Sequence, residues 1–279
     1  MTISQADICG MNFHYFRHSF DRFLDDAEAL QLPLVEIWGA APHFYLGDRT
    51  LADARELGAS VSQRGMKIAC FTPEQCVYPI NLGSPQAALR DRSIRYFLES
   101  LEMSVEMGSP AVLVTPGSGF ADQSARDAFD RCADALGLIA DRADKLGQKL
   151  FLEALPPAWS NIAATARELG ALLDAVGSKV MFGMLDTAGA LGTRESVKDY
   201  ISVLGDRLAH VHMIDSEPSG SHLAWGDGVL SAGEIIAELN ASGYTGALSI
   251  EITNARYYLD PNAALAQSVT ALRNVLPAS

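Results

Sequence analysis

The sequence predicts an α/β protein, a (β/α)8 (TIM) barrel in one domain spanning residues 1–279, on three observations. Eight short apolar runs alternate with longer segments of helical period. The alternation never reverses, which favours a closed ring of parallel strands over an open sheet. No Pro/Gly/Ser linker, charge block or low-complexity stretch divides the chain, and barrels of about 250 residues fold as one unit. In chain order, strands are expected at 8–12 (ICGMN), 34–38 (LVEIW), 67–71 (KIACF) and 111–115 (AVLVT), then at 149–153 (KLFLE), 180–185 (VMFGML), 208–214 (LAHVHMI) and 247–252 (ALSIEI). The segments 19–32, 86–108, 124–147 and 165–177 carry apolar residues at three- and four-residue intervals with charges between them, the pattern of a helix with one buried face. Gly65, Gly147 and Gly243 stand between such a segment and the next strand, as left-handed helix ends require.

Composition narrows the function classes. Hydrophobic residues make up 48% of the chain, enough for a large core. The net charge of −13 repels phosphate backbones, so nucleic acid is not an expected partner. No apolar run approaches the roughly 20 residues of a membrane span, so no membrane partner is expected either. The start, MTISQADICG, lacks the basic and apolar segments of a signal peptide. Cys9, Cys70, Cys76 and Cys132 show no metal-finger or CxxC spacing. A cytoplasmic setting with reduced thiols is expected.

Four candidate ligands close apolar runs in the second half of the chain: Glu153 (KLFLE), Asp186 (FGMLD), His212 (HVH) and Glu251 (LSIE). A charged or coordinating group at the end of a buried strand is costly unless a cation or a hydrogen-bond network compensates it. In a barrel of this kind all four fall at the C-terminal ends of strands, where chemistry is built. Three carboxylates and one imidazole form a hard, oxygen-rich set, suited to one divalent metal ion, Mn²⁺ first, with Mg²⁺ or Co²⁺ accommodated. Such an ion polarises a carbonyl and acidifies the C–H beside it. A carboxylate can then remove the proton while the metal stabilises the enediolate. Glu153 and Glu251, on strands to either side of the metal, are the expected acid/base pair.

The motifs EIWGAAPHF (36–44), FTPE (71–74), YPIN (78–81), HVHMIDS (210–216), GDG (226–228) and GYTGALSIEIT (243–253), in this order with the four ligands, resemble the sugar epimerase/isomerase superfamily of xylose-isomerase-like barrels. The likeness covers essentially the whole chain and is nearer to the fructoselysine 3-epimerase branch than to ketose 3-epimerases. It implies that Glu153, Asp186, His212 and Glu251 bind one divalent cation, that Glu153 and Glu251 are catalytic, and that the substrate is a small-molecule sugar. It also implies a homo-oligomer. EIWGAAPHF further resembles the large subunit of C-glycoside deglycosidases, which eliminate an aglycone from a 3-keto C-glycoside and work with a small β-subunit. A DNA-repair endonuclease of the same superfamily would need more histidines than this chain's six, and a basic groove. A non-catalytic sugar-binding barrel would not need all four ligands.

One departure bears on the substrate. Ketose 3-epimerases carry a histidine three residues after the strand-six aspartate, where this chain has Gly189, and an arginine soon after the strand-seven histidine, where it reads SEPSGSHLAWGDG. A bulkier or differently anchored sugar is expected, with His222 of that loop as a replacement donor. His43 and Trp38 after the second strand, Glu74 and Asn81 after the third, and Asn12 with His14 at the end of the first are the other expected substrate contacts. His210 reads as a core residue beneath His212, and Asp215 as a group orienting His212 or a helix start.

Overall fold

Eight parallel strands close on themselves in the computed structural model, which describes residues 2–76 and 80–278. They are β1 (Ile8–Met11), β2 (Leu34–Gly39), β3 (Lys67–Pro73), β4 (Ala111–Val114), β5 (Lys149–Leu152), β6 (Met181–Asp186), β7 (Leu208–His212) and β8 (Leu248–Ile250). Each pairs with the next in chain order, and β8 returns to β1 with Ile8 opposite Leu248, so no sheet edge is left unpaired. The helices outside the ring are α1 (Phe20–Ala29), α2 (Leu51–Gln63), α3 (Ala87–Met107), α4 (Ala125–Leu146), α5 (Ala166–Val176), α6 (Thr187–Thr193), α7 (Val197–Leu204), α8 (Ala232–Ser242) and α9 (Pro261–Arg273).

Most helix starts are written locally. Ser19, Thr50, Ser124, Thr165, Ser196 and Ser231 each precede a helix, and each accepts the backbone N–H three residues on. For Thr50, Thr165 and Ser196 the third residue is an acid whose carboxylate reaches back to the cap, completing a reciprocal pair. Gly147 and Gly243 cap α4 and α8 in the left-handed region, and Gly65 takes the same conformation two residues past the end of α2.

Two expectations change. The β6–β7 connection holds two helices, not one, because the Asp186 side chain accepts the N–H groups of Ala188 and Gly189 and starts α6 directly off the strand. The sequence of α6, TAGALGT, is too short and too poor in charge to show a helical period. β1 stops at Met11, since Asn12 turns the chain into a short 3-10 segment over Phe13–Tyr15. Of the YPIN motif, Tyr78 and Pro79 lie outside the described residues. Among the described residues no helix is long and apolar enough to cross a membrane.

The barrel interior is filled in layers. Cys70, Ala111, Leu113, Phe151 and Met184 form an apolar plug within the ring. The His210 ring stacks flat on Phe151, with centroids 5.1 Å apart and planes 5° off parallel. Above the plug the interior becomes polar: Glu36, Thr72 and His212, from β2, β3 and β7, lie side by side and buried.

Candidate active site

The four expected ligands converge. Asp186 and His212 are the last residues of adjacent strands and stand opposite each other in the β6–β7 register. Glu153 and Glu251 each follow the last residue of their strand, β5 and β8. One donor atom from each of the four lies within 4.8 Å of the others. The His212 Nδ1 is 3.0 Å from Glu251 Oε2 and 3.6 Å from Glu153 Oε1. His212 is fully buried, and its Nδ1 is aligned for no hydrogen bond.

A second carboxylate layer explains how His212 is aimed. Its Nε2 lies 3.1 Å from Glu36 Oε1, so Nε2–H donates downward and Nδ1 is left facing the three carboxylates. Glu36 Oε2 takes the His210 Nε2–H at 2.8 Å, and the Thr72 hydroxyl donates to Oε1 at 2.5 Å. Burial alone would raise the Glu36 pKa, but the two imidazoles outweigh it and hold the carboxyl well below its usual range. Burial would likewise depress His212, but Glu251 and Glu36 raise it well above the usual histidine range.

Electrostatics separate the other ligands. Glu153 is raised to about 7, chiefly by burial, against the lowering effect of His212. Asp186, despite burial, is held at about 2, first by His222, whose Nε2–H donates to Oδ2 at 2.8 Å. His222 also donates from Nδ1 to Thr253 Oγ1 at 3.0 Å; burial opposes its charge, but Asp186 first and then Glu251 lift its pKa to about 9. Three crowded carboxylates around an unbonded ring nitrogen suit a divalent cation in number, hardness and position. These four residues would hold it.

The carboxylates open onto a cleft of about 500 Å³ at the C-terminal mouth of the barrel. Trp38, Glu74 and His222 line it, where the sequence led us to expect them. The Trp38 ring packs on Phe13 at 4.3 Å, and its Nε1–H donates to Glu74 Oε2 at 2.9 Å, fixing one wall.

Asn12 and His43 are placed differently from expectation. Neither lines the cleft. Asn12 receives the Trp38 N–H at 2.7 Å and donates to the Trp38 carbonyl at 3.2 Å and to His43 Nδ1 at 2.8 Å. His43 in turn donates Nε2–H to the His18 carbonyl at 2.9 Å. Both hold Trp38 from behind, with their polar atoms already engaged. His14 is fully buried, and burial lowers its pKa to about 3.

Asp215 does not orient His212. Its buried carboxylate accepts the N–H groups of Ser216, Gly226, Gly228 and Leu230 at 2.8–3.0 Å, so it organises the loop that carries His222. The GDG motif follows from this: a Cβ on Gly228 would collide with the Asp215 carboxylate.

With this geometry in place, comparison with known proteins is informative. A family model described as "Xylose isomerase-like TIM barrel" matches residues 24–275. The chain belongs to the xylose isomerase-like TIM barrel family. Among curated relatives, a fructoselysine 3-epimerase of Escherichia coli O157:H7 is 27% identical over 270 residues, covering 96% of each chain. A solved 3-keto-D-glucoside 4-epimerase from E. coli superposes with a TM-score of 0.81 at 18% identity, over 96% of this chain and 99% of that one. A D-psicose 3-epimerase from Clostridium cellulolyticum H10 gives 0.78 at 17%, over 97% and 99%. At such identities the solved structures bear on the fold, and they agree that this barrel is the family's.

The sequence reading missed Glu36, Thr72, Gln75 and Trp159. Glu36 carried a usable signal, an acid inside the apolar run LVEIW, governed by the same rule that singled out the four ligands.

Proposed function

We propose that this protein is a divalent-metal-dependent sugar epimerase or isomerase, moving a proton on the carbon beside the carbonyl of a keto-sugar or sugar conjugate. The observation that carries the reading is the buried His212 Nδ1, aligned for no hydrogen bond and held by Glu36 toward Glu153 and Glu251 at the floor of the cleft. The relatives' names, fructoselysine 3-epimerase and 3-keto-D-glucoside 4-epimerase, support the reaction class.

Glu153, Asp186, His212 and Glu251 would hold a divalent cation, Mn²⁺ best suiting this donor set, which would supply Lewis-acid polarisation of the substrate carbonyl and so acidify the adjacent C–H. The rest is done by side chains. Glu153 and Glu251 follow β5 and β8, the strands flanking the β6–β7 pair, so they reach the same carbon from different sides. One carboxylate takes the proton from carbon. The other, entering the step protonated, returns a proton to the opposite face, and the centre is inverted without net redox change. Burial opposes the charged form of Glu153, which favours its taking up a proton. His222, with both ring nitrogens engaged by Asp186 and Thr253, holds the Asp186 carboxylate in place, Glu74 accepts a hydroxyl, and Trp38 with Phe13 covers the apolar face of the ring and excludes water.

Proton transfer is tested in D₂O with fructose, psicose and a 3-keto-glucoside as probes. The expected result is deuterium at the carbon beside the carbonyl, abolished by a chelator and restored by Mn²⁺. Turnover that survives exhaustive chelation, or epimerisation with no deuterium in the product, contradicts the reading.

A further inference from the structure

We propose that Trp159 is a substrate-binding residue, whose indole covers the bound sugar from the side of the cleft opposite Phe13 and Trp38. This rests on the keto-sugar reading of the cleft. A single apolar side chain in water needs no explanation by itself. What sets Trp159 apart is its place. It is 59% exposed, and among the described residues it is the one exposed large apolar side chain that lines the cleft. Its polar atom is also free for a ligand. Trp38 donates its indole N–H to Glu74, and Trp225 donates to the Met213 carbonyl at 3.0 Å. Of the three tryptophans, only these two have a bonded indole N–H among the described residues.

The backbone beneath the indole, in contrast, is fixed. Trp159 lies in the loop after β5, and the Leu155 N–H donates to the Ala163 carbonyl at 3.1 Å, closing the base of that loop. Within it, the Pro156 carbonyl accepts the N–H groups of both Trp159 and Ser160. The buried Ser160 hydroxyl donates to the Gly117 carbonyl at 2.7 Å and accepts the Ile162 N–H at 3.1 Å. Asn161 Oδ1 accepts the Gly119 N–H at 2.7 Å. Two successive prolines, Pro156 and Pro157, remove further freedom. An unanchored aromatic side chain on a tied backbone is a contact made ready in advance, so little is lost in ordering it on binding.

The barrel supplies the facing wall. In a closed ring of eight strands in chain order, β5 stands across from β1. Phe13 follows β1 and packs on Trp38, whereas Trp159 follows β5, so aromatic walls rise from opposite sides of the mouth. The four candidate ligands lie together in the same cleft, with Glu153 at the start of the loop that carries Trp159. A sugar ring carries C–H groups on its faces and hydroxyls around its edge. Aromatic walls suit the faces, and the indole N–H and the acids suit the edge.

Tryptophan fluorescence of the Mn²⁺-loaded protein, titrated with fructose, psicose and a 3-keto-glucoside, tests this beside deuterium exchange into the same sugars. The sugar that exchanges is expected to change the emission saturably. Trp159→Phe is expected to remove most of that change while keeping most of the affinity. Trp159→Ala is expected to raise KM about tenfold, the loss of one aromatic contact, with kcat little altered. Because the side chain is exposed, its truncation should leave the melting temperature unchanged, which separates lost binding from lost fold. An unchanged KM in Trp159→Ala, or an emission change in Trp159→Phe as large as in the unaltered protein, overturns the proposal. So does emission that shifts on dilution without sugar, the mark of a second copy covering the indole. Exchange without a response from Trp159 removes this contact and leaves the keto-sugar reading. A response from Trp159 without exchange in any sugar does the reverse, and neither with any sugar removes both.

Discussion

Glu153→Gln and Glu251→Gln, each assayed at saturating Mn²⁺, are expected to lower epimerisation of a keto-sugar by roughly a thousandfold, the scale of losing a positioned acid or base. Both changes keep the shape of the side chain and one oxygen that can still face a cation. What disappears is the ability to carry a proton. In the proposed arrangement the two carboxylates approach the carbon from different sides, so the variants should differ in a second measurement. Each retains one functional carboxylate, so each is expected to exchange the C–H of one epimer with D₂O while failing to invert it. The epimer that exchanges should be opposite in the two variants. Loss of only a few-fold in both, or exchange of the same epimer in both, is incompatible with a proton-transfer pair.

Glu36→Gln should weaken Mn²⁺ binding by about 10- to 100-fold, although Glu36 is not one of the four residues that meet at the cleft. Its two oxygens accept from His210, His212 and Thr72 at once. Glutamine offers one accepting oxygen and an NH₂. Whichever way the amide turns, one imidazole N–H meets a donor. If it is His212, the ring must move its proton to Nδ1, the nitrogen that would face the cation. Competition with a metal indicator gives the affinity. Thermal unfolding in chelator separates this from loss of fold, since the site is emptied in both proteins. Unchanged affinity would mean that the ring finds its orientation without Glu36.

The fold and the convergence of the four candidate ligands were legible in the sequence for the same reason: each strand is a short apolar run, and each candidate ends one. Glu153, Asp186, His212 and Glu251 needed only that rule, and the β6–β7 register places Asp186 opposite His212 as the rule requires. Glu36 obeyed it too, yet sits inside its run. Only closure of the barrel, bringing β7 within reach of β2 through the interior, reveals its partners. Asn12 and His43 illustrate the converse. A polar residue just past a strand can turn into the cleft or sideways into the next loop, and sequence carries no sign of which. Here the Trp38 backbone offered Asn12 both a donor and an acceptor, and the sideways arrangement resulted. Gln75 and Trp159 lie in loops without periodicity, so nothing local set them apart from ordinary surface residues.

Anomalous diffraction at the manganese edge, on crystals grown with Mn²⁺, tests most directly whether the four strand ends act as one site. The expected result is a single strong peak within coordinating distance of His212 Nδ1 and of carboxylate oxygens from Glu153, Asp186 and Glu251. A peak elsewhere, such as among Glu36, His210 and His212, or none at saturating Mn²⁺, would contradict the account.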